Sequence, residues 1–305
     1  MRRVAPAALL GLLLGLLCGC PPIDEPAPPP EQPWTDRLPT LGEPDFVVPD
    51  PGLPVVTQPA NNNLAVIDHA GRTWFAWRTA PTHFASAAVQ MHMISSADGQ
   101  DWRHEVTFDL DTDLREPQLV SFDGTLRFFF AVLGTSSLDF EPQGMQTAVL
   151  GADGQWSAPE PVFEADFIPW RTKVLDGRLY MVGYTGGGNI YDDNGEPVSI
   201  HWLTSQDTLN WTAVVPEREV VLQGGGSEAD FVFLDDGSLV AVVRNEAGDA
   251  TGFGSKVCTA PADDLGTWTC EPDPRKYDSP LLFREGPDVW LIGRRTLGND
   301  GLFDL

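Results

Sequence analysis

The chain has 305 residues, 42% of them hydrophobic, with 44 acidic against 19 basic side chains and a formal net charge of −25. That apolar content can bury a large core, and β-folds of this length are commonly one domain. The charge repels phosphate backbones and anionic lipid surfaces, so nucleic-acid binding is discounted.

The N-terminus reads as an export signal. Arg2 and Arg3 form a basic n-region, and Ala7 to Leu17 is too short an apolar run for a transmembrane helix. Leu17-Cys18-Gly19-Cys20 resembles the bacterial lipobox, which implies lipidation of Cys20 and cleavage before it. Pro21 follows in place of an Asp retention signal, so the expected location is the outer membrane, with the lipid as the only membrane contact. Residues 21–54 hold twelve prolines and no apolar periodicity, the composition of an extended tether. The expected organisation is a signal over 1–20, a tether over 21–54 and a folded domain over 55–305.

Within that domain, five turn glycines are each flanked by apolar runs: Gly71, Gly124, Gly177, Gly237 and Gly286, spaced 53, 53, 60 and 49 positions apart. Such turns predict hairpins, and a period near fifty suits four-stranded propeller blades. A second repeat interleaves with the first. Ser96 to Trp102, Ser205 to Trp211 and Ala262 to Trp268 each place tryptophan four residues after aspartate, and Ala152 to Trp156 is a shorter form. Aspartate can bond backbone N–H groups in a tight turn, glycine supplies positive φ, and tryptophan buries a large face. The glycine turns are expected to join inner strands, and the aspartate turns outer ones.

Cys258 and Cys270 flank the last aspartate turn; an exported protein can join them as a disulfide, with a buried free pair as the alternative. They lack histidines at zinc-ligand spacing. Asp109, Asp111 and Asp113 alternate like a calcium loop, but Leu114 and Val120 replace its required glycine and glutamate, so no metal or cofactor is expected. Gly186-Gly187-Gly188 lacks the Lys-Ser/Thr ending of a phosphate loop.

The aspartate turns resemble the Asp boxes of sialidase-like β-propellers. The resemblance implies an all-β, sialidase-like propeller: five blades are readable, with a six-bladed architecture truncated or irregularly closed. It also directs attention to polar residues where inner strands converge. Arginine recurs there as Arg78, Arg115, Arg171, Arg244 and Arg294, beside Glu116, and is expected to form a clamp for an anion. By the same resemblance Glu228 polarises a tyrosine nucleophile, Tyr277, and Arg244 belongs to the clamp. The sialidase Arg-Ile-Pro is replaced by Asn61-Asn62-Asn63, and His83 is the titratable group nearest the missing loop acid. The expected protein is a monomeric surface lipoprotein that binds, and as a glycosidase hydrolyses, acidic or polyhydroxylated glycans. A binding, adhesion or structural envelope protein on the same scaffold is the alternative.

Overall fold

A computed structural model describes residues 42–43, 46–191 and 196–295. The export signal, Cys20 and most of the tether lie outside the described residues.

Nineteen strands form five antiparallel sheets among those residues. The first contains β1 (Ala60–His69), β2 (Arg72–Ala80), β3 (Gln90–Ser96) and β4 (Trp102–Phe108). The second contains β5 (Asp113–Phe122), β6 (Thr125–Leu133), β7 (Pro142–Val149) and β8 (Glu160–Val162). The third is built from β9 (Ile168–Leu175), β10 (Arg178–Thr185), β11 (Val198–Ser205), β12 (Thr212–Ala213) and β13 (Val220–Gly224). The fourth runs through β14 (Gly226–Phe233), β15 (Leu239–Asn245), β16 (Lys256–Ala260) and β17 (Thr269–Pro272), and the fifth pairs β18 (Tyr277–Glu285) with β19 (Asp288–Arg295).

Each glycine turn joins the first two strands of a sheet. Ala70-Gly71, Asp123-Gly124 and Asp176-Gly177 take positive φ at both central residues (48° and 73°, 48° and 73°, 49° and 71°), the hairpin geometry that matches strand twist. The aspartate turns join third and fourth strands. Asp98 Oδ1 accepts from the amides of Gln100 (2.9 Å) and Asp101 (2.8 Å), and Asp207 Oδ1 accepts from Leu209 (3.0 Å) and Asn210 (2.8 Å) in the same pattern. Both β12 and β13 pair with β11, so the third sheet's outer strand is interrupted between Ala213 and Val220. That insertion falls in the widest glycine spacing.

The core lies between successive sheets. Strand β1 packs on β5, β5 on β9, β9 and β10 on β14, and β14 on β18. The turn tryptophans reach across these seams: Trp156 meets Trp74 (6.0 Å between centroids), Trp211 meets Phe129 (5.8 Å) and Trp268 meets Trp202 (5.9 Å). Cys258 and Cys270 face one another on β16 and β17 and are joined by a disulfide.

Candidate functional site

All five first strands carry a one-residue bulge near the start. The ladder slips between Asn62 and Leu64, Arg115 and Gln118, Pro169 and Arg171, Gly226 and Ala229, and Asp278 and Leu281. Asn63, Glu116 and Ser279 take left-handed φ there (49°, 51° and 50°). Bulges re-aim side chains, and left-handed φ in non-glycine residues concentrates at functional sites.

Polar contacts join four of these bulges in two pairs. Asn63 Nδ2 donates to Glu116 Oε1 (2.8 Å), linking the first two sheets. The Ser279 amide donates to Glu228 Oε2 (2.6 Å), linking the last two. Glu116 and Glu228 lie within electrostatic reach of one another across the middle. The Glu116 carboxyl is pushed up to about 7, by burial first and then by Glu228, against the pull of Arg115 and Asn63. Burial likewise pushes Glu228 up, opposed by Arg244 and the Ser279 amide.

Arg244 is the hub of the acidic group. Its guanidinium bonds Glu228 Oε1, Glu246 Oε2 (2.7 Å) and Asp278 Oδ1 (2.6 Å), while Lys276 reaches Glu246 at 2.6 Å. Burial lowers the Arg244 pKa, but those three carboxylates more than offset it and hold the guanidinium charged. Tyr184 and Tyr191 complete the group. The Tyr184 phenol is pushed well above its ordinary value by burial, then by Glu116 and Glu228.

The expected anion clamp is not assembled, because internal acceptors engage the arginines. Arg78, fully buried, bonds Asp113 (2.8 Å), Asn62 and two carbonyls; Arg115 bonds the other Asp113 oxygen (2.7 Å) and the His83 carbonyl. Arg171 meets Asp230 (3.3 Å), and Arg244 is held by the three acids above. The exposed Arg294 donates to Ser279 Oγ at 3.3 Å. Three of the series, Arg78, Arg244 and Arg294, stand on second strands and not on first strands.

The Tyr277 hydroxyl lies 3.5 Å from Asp273 and its ring sits under Arg275, while Glu228 meets Arg244 and the Ser279 amide. Tyr184 and Tyr191 both sense Glu228. His83 is at the same end of the molecule, its Nδ1 3.0 Å from Asn62 Nδ2. Although His83 is exposed, partial desolvation first, then Arg115, Arg78 and Arg294, hold its imidazole below the ordinary value.

Sequence reasoning overlooked Glu246, Asp278, Tyr184 and Tyr191. One signal was present: Pro117, Pro169 and Pro280 interrupt strand-like runs, and proline inside a sheet is confined to edges, strand starts and bulges.

The class is an all-β frame of antiparallel sheets, like that of propeller structures, with an acidic cluster gathered on Arg244. No family model matches the sequence, and no curated protein does. Among solved structures, a protein of unknown function from Dyadobacter fermentans is 18% identical over 76% of this chain and 74% of that one, with a TM-score of 0.58. An α-L-arabinofuranosidase of Fusarium graminearum is 15% identical over 75% and 70%, with a TM-score of 0.51. A family 32 β-fructofuranosidase of Bombyx mori is 13% identical over 78% of this chain and 55% of that one, at 0.50. At these identities the likeness shows the fold alone.

Proposed function

We propose that the chain is a glycan-processing propeller whose axial site takes a neutral, polyhydroxylated sugar. The observation that carries this reading is the gathering of Glu228, Glu246 and Asp278 on Arg244, with Glu116 in their field, where Arg78, Arg115 and Arg171 are engaged by internal acceptors. Carboxylates accept from sugar hydroxyls, whereas a sialate or uronate would meet Glu228, Glu246 and Asp278 with like charge. The glycosidase fold of two structural neighbours supports the same substrate class.

Two carboxyl groups in unlike surroundings suit glycosidic hydrolysis. Glu116, with its raised pKa, is the proton donor. Burial raises Glu228 as well, but its ion pair with Arg244 and the Ser279 amide oppose that rise and assign it the role of ionised partner. The five sheets are the readable blades of a ring related to the sialidase-like propellers, and the lipobox-like Leu17 to Cys20 supports a lipid anchor at the outer membrane.

Binding without turnover is a second reading, favoured by one observation: both Glu228 oxygens already have internal partners. The test is to offer the full-length protein neutral arabino-, xylo- and fructo-oligosaccharides beside sialosides and uronides. Cleavage of a neutral member, lost in Glu116→Gln and Glu228→Gln, is the expected result. Binding without cleavage selects the second reading, and preference for an acidic sugar refutes the first claim.

A further inference from the structure

Two arginines hold three successive carbonyls of the loop that leaves β2. The fully buried Arg78 donates from Nη1 to the Thr82 carbonyl (3.4 Å) and from Nη2 to that of Phe84 (3.0 Å), and Arg115 Nη2 donates to that of His83 (2.9 Å). Asp113, also fully buried, fixes both guanidinium groups. One of its oxygens accepts from Arg78 Nε (2.8 Å) and the other from Arg115 Nε (2.7 Å). A backbone pinned in this way offers the exposed His83 ring on a rigid support.

The hydrogen bond made by that ring fixes where its proton sits. His83 Nδ1 lies 3.0 Å from Asn62 Nδ2, and Asn62 Oδ1 accepts from Arg78 Nη1 (3.2 Å). Turning the asparagine amide over would set its NH2 group against the guanidinium, donor against donor, so that group faces the imidazole. An amide nitrogen only donates. His83 Nδ1 is therefore the acceptor, which leaves the ring neutral with its hydrogen on Nε2. The nearby charges of Arg115, Arg78 and Arg294 favour the same neutral state. Among the described residues, Nε2 has no hydrogen-bond partner.

The same residues set this donor beside Glu116. Asn63, next to Asn62, donates to Glu116 Oε1 (2.8 Å), and Arg115, which holds the His83 carbonyl, is the residue before Glu116. We infer that His83 is a specificity residue whose Nε2–H donates to an oxygen of the neutral sugar bound at Glu116. The inference rests on the neutral-glycan reading above and adds to it a donor for the sugar's lone pairs, where ionised carboxylates supply only acceptors. A sugar hydroxyl both donates and accepts, so a site of ionised acids alone would read half of it. Being neutral, the ring makes this bond without the positive charge that would favour an acidic sugar.

The test uses full-length protein. Long-range proton–nitrogen NMR spectra at pH 7, with the His83 signal assigned by its absence in His83→Gln, are expected to show the Nε2–H tautomer. An Nδ1–H or doubly protonated ring overturns the inference without any ligand. Calorimetry then compares wild type, His83→Gln and His83→Ala on the neutral oligosaccharide that binds best in the panel above. His83→Ala is expected to bind roughly three- to tenfold more weakly, the scale of one hydrogen bond. His83→Gln, whose amide carries an N–H at similar reach, is expected to stay within about twofold of wild type. His83→Ala as tight as wild type overturns the inference and leaves the neutral-glycan reading standing. His83→Gln as weak as His83→Ala overturns it too, because the N–H is then not what the sugar reads. No binding of any neutral sugar by wild type overturns both readings.

Discussion

Asp230 offers the sharpest energetic test of how the sheets are joined. Its carboxylate is fully buried on β14 and accepts from the amides of Phe231 (2.6 Å) and Leu282 (2.8 Å), the latter on β18. From β9 come Lys173 (2.7 Å) and Arg171 (3.3 Å), and the Lys173 ammonium also donates to the Phe231 and Leu282 carbonyls. One side chain therefore ties three sheets. Breaking a buried ion pair on one side costs about 3–5 kcal/mol, since a charge is left unpaired. The Arg171 and Lys173 side chains are 26% and 28% exposed and regain some water, which places Asp230→Ala near the low end, about 3 kcal/mol. Asp230→Asn keeps an acceptor for the Leu282 amide and costs less. Urea unfolding at pH 7, followed by tryptophan fluorescence, measures both, and adding Lys173→Met to Asp230→Asn should recover part of the loss. A cost for Asp230→Ala below about 1 kcal/mol, the scale of an exposed pair, would refute the argument.

Glu116 gives a pH dependence with a definite sign. Its folded pKa, about 7, stands above its ordinary 4.5, so between those values the folded protein keeps a proton that the unfolded chain has lost. Its contribution is full below the lower value and is lost as pH rises through the upper one. Glu116→Gln should therefore flatten the stability profile between those two limits, and an unchanged slope in urea titrations would show the proton is elsewhere. Turnover that needs this proton should fall above about pH 7 in wild type. The Cys258–Cys270 disulfide spans 12 positions, and Cys270→Ser should cost roughly 2–3 kcal/mol, read by the same unfolding assay. A loss well under 1 kcal/mol would mean the fourth sheet is held without it.

The frame was readable because its signals are local. Asp123-Gly124 or Asp176-Gly177 needs only a few neighbouring residues to take positive φ, and Asp98 closes its turn with amides two and three positions away. The disulfide likewise joins strands on either side of one turn. The site is another matter, since it depends on which of 44 acidic side chains the bulges bring together. Glu246, just past the end of β15, and Asp278, on β18, are brought together on Arg244. The arginines were conspicuous by position, but local sequence does not show that Asp113 lies between Arg78 and Arg115. Tyr184 and Tyr191, on either side of an unassuming glycine run, carry no local signal that the fold brings them within the field of Glu228.

The repeated bulge has an evolutionary consequence. One backbone irregularity, repeated through five sheets, presents asparagine, a glutamate-proline pair, tryptophan, a serine-glutamate pair and a serine-proline pair at equivalent places. Because the extra residue stands outside the ladder's hydrogen bonding, the bulge and not the strand's alternation decides where its side chain is aimed. Descendants of a common ancestor can then acquire new specificities by single substitutions at a handful of sockets. Overall likeness would persist while reactions diverge, so kinship of shape forecasts chemistry poorly in such a lineage, and the residues in the five sockets forecast it better.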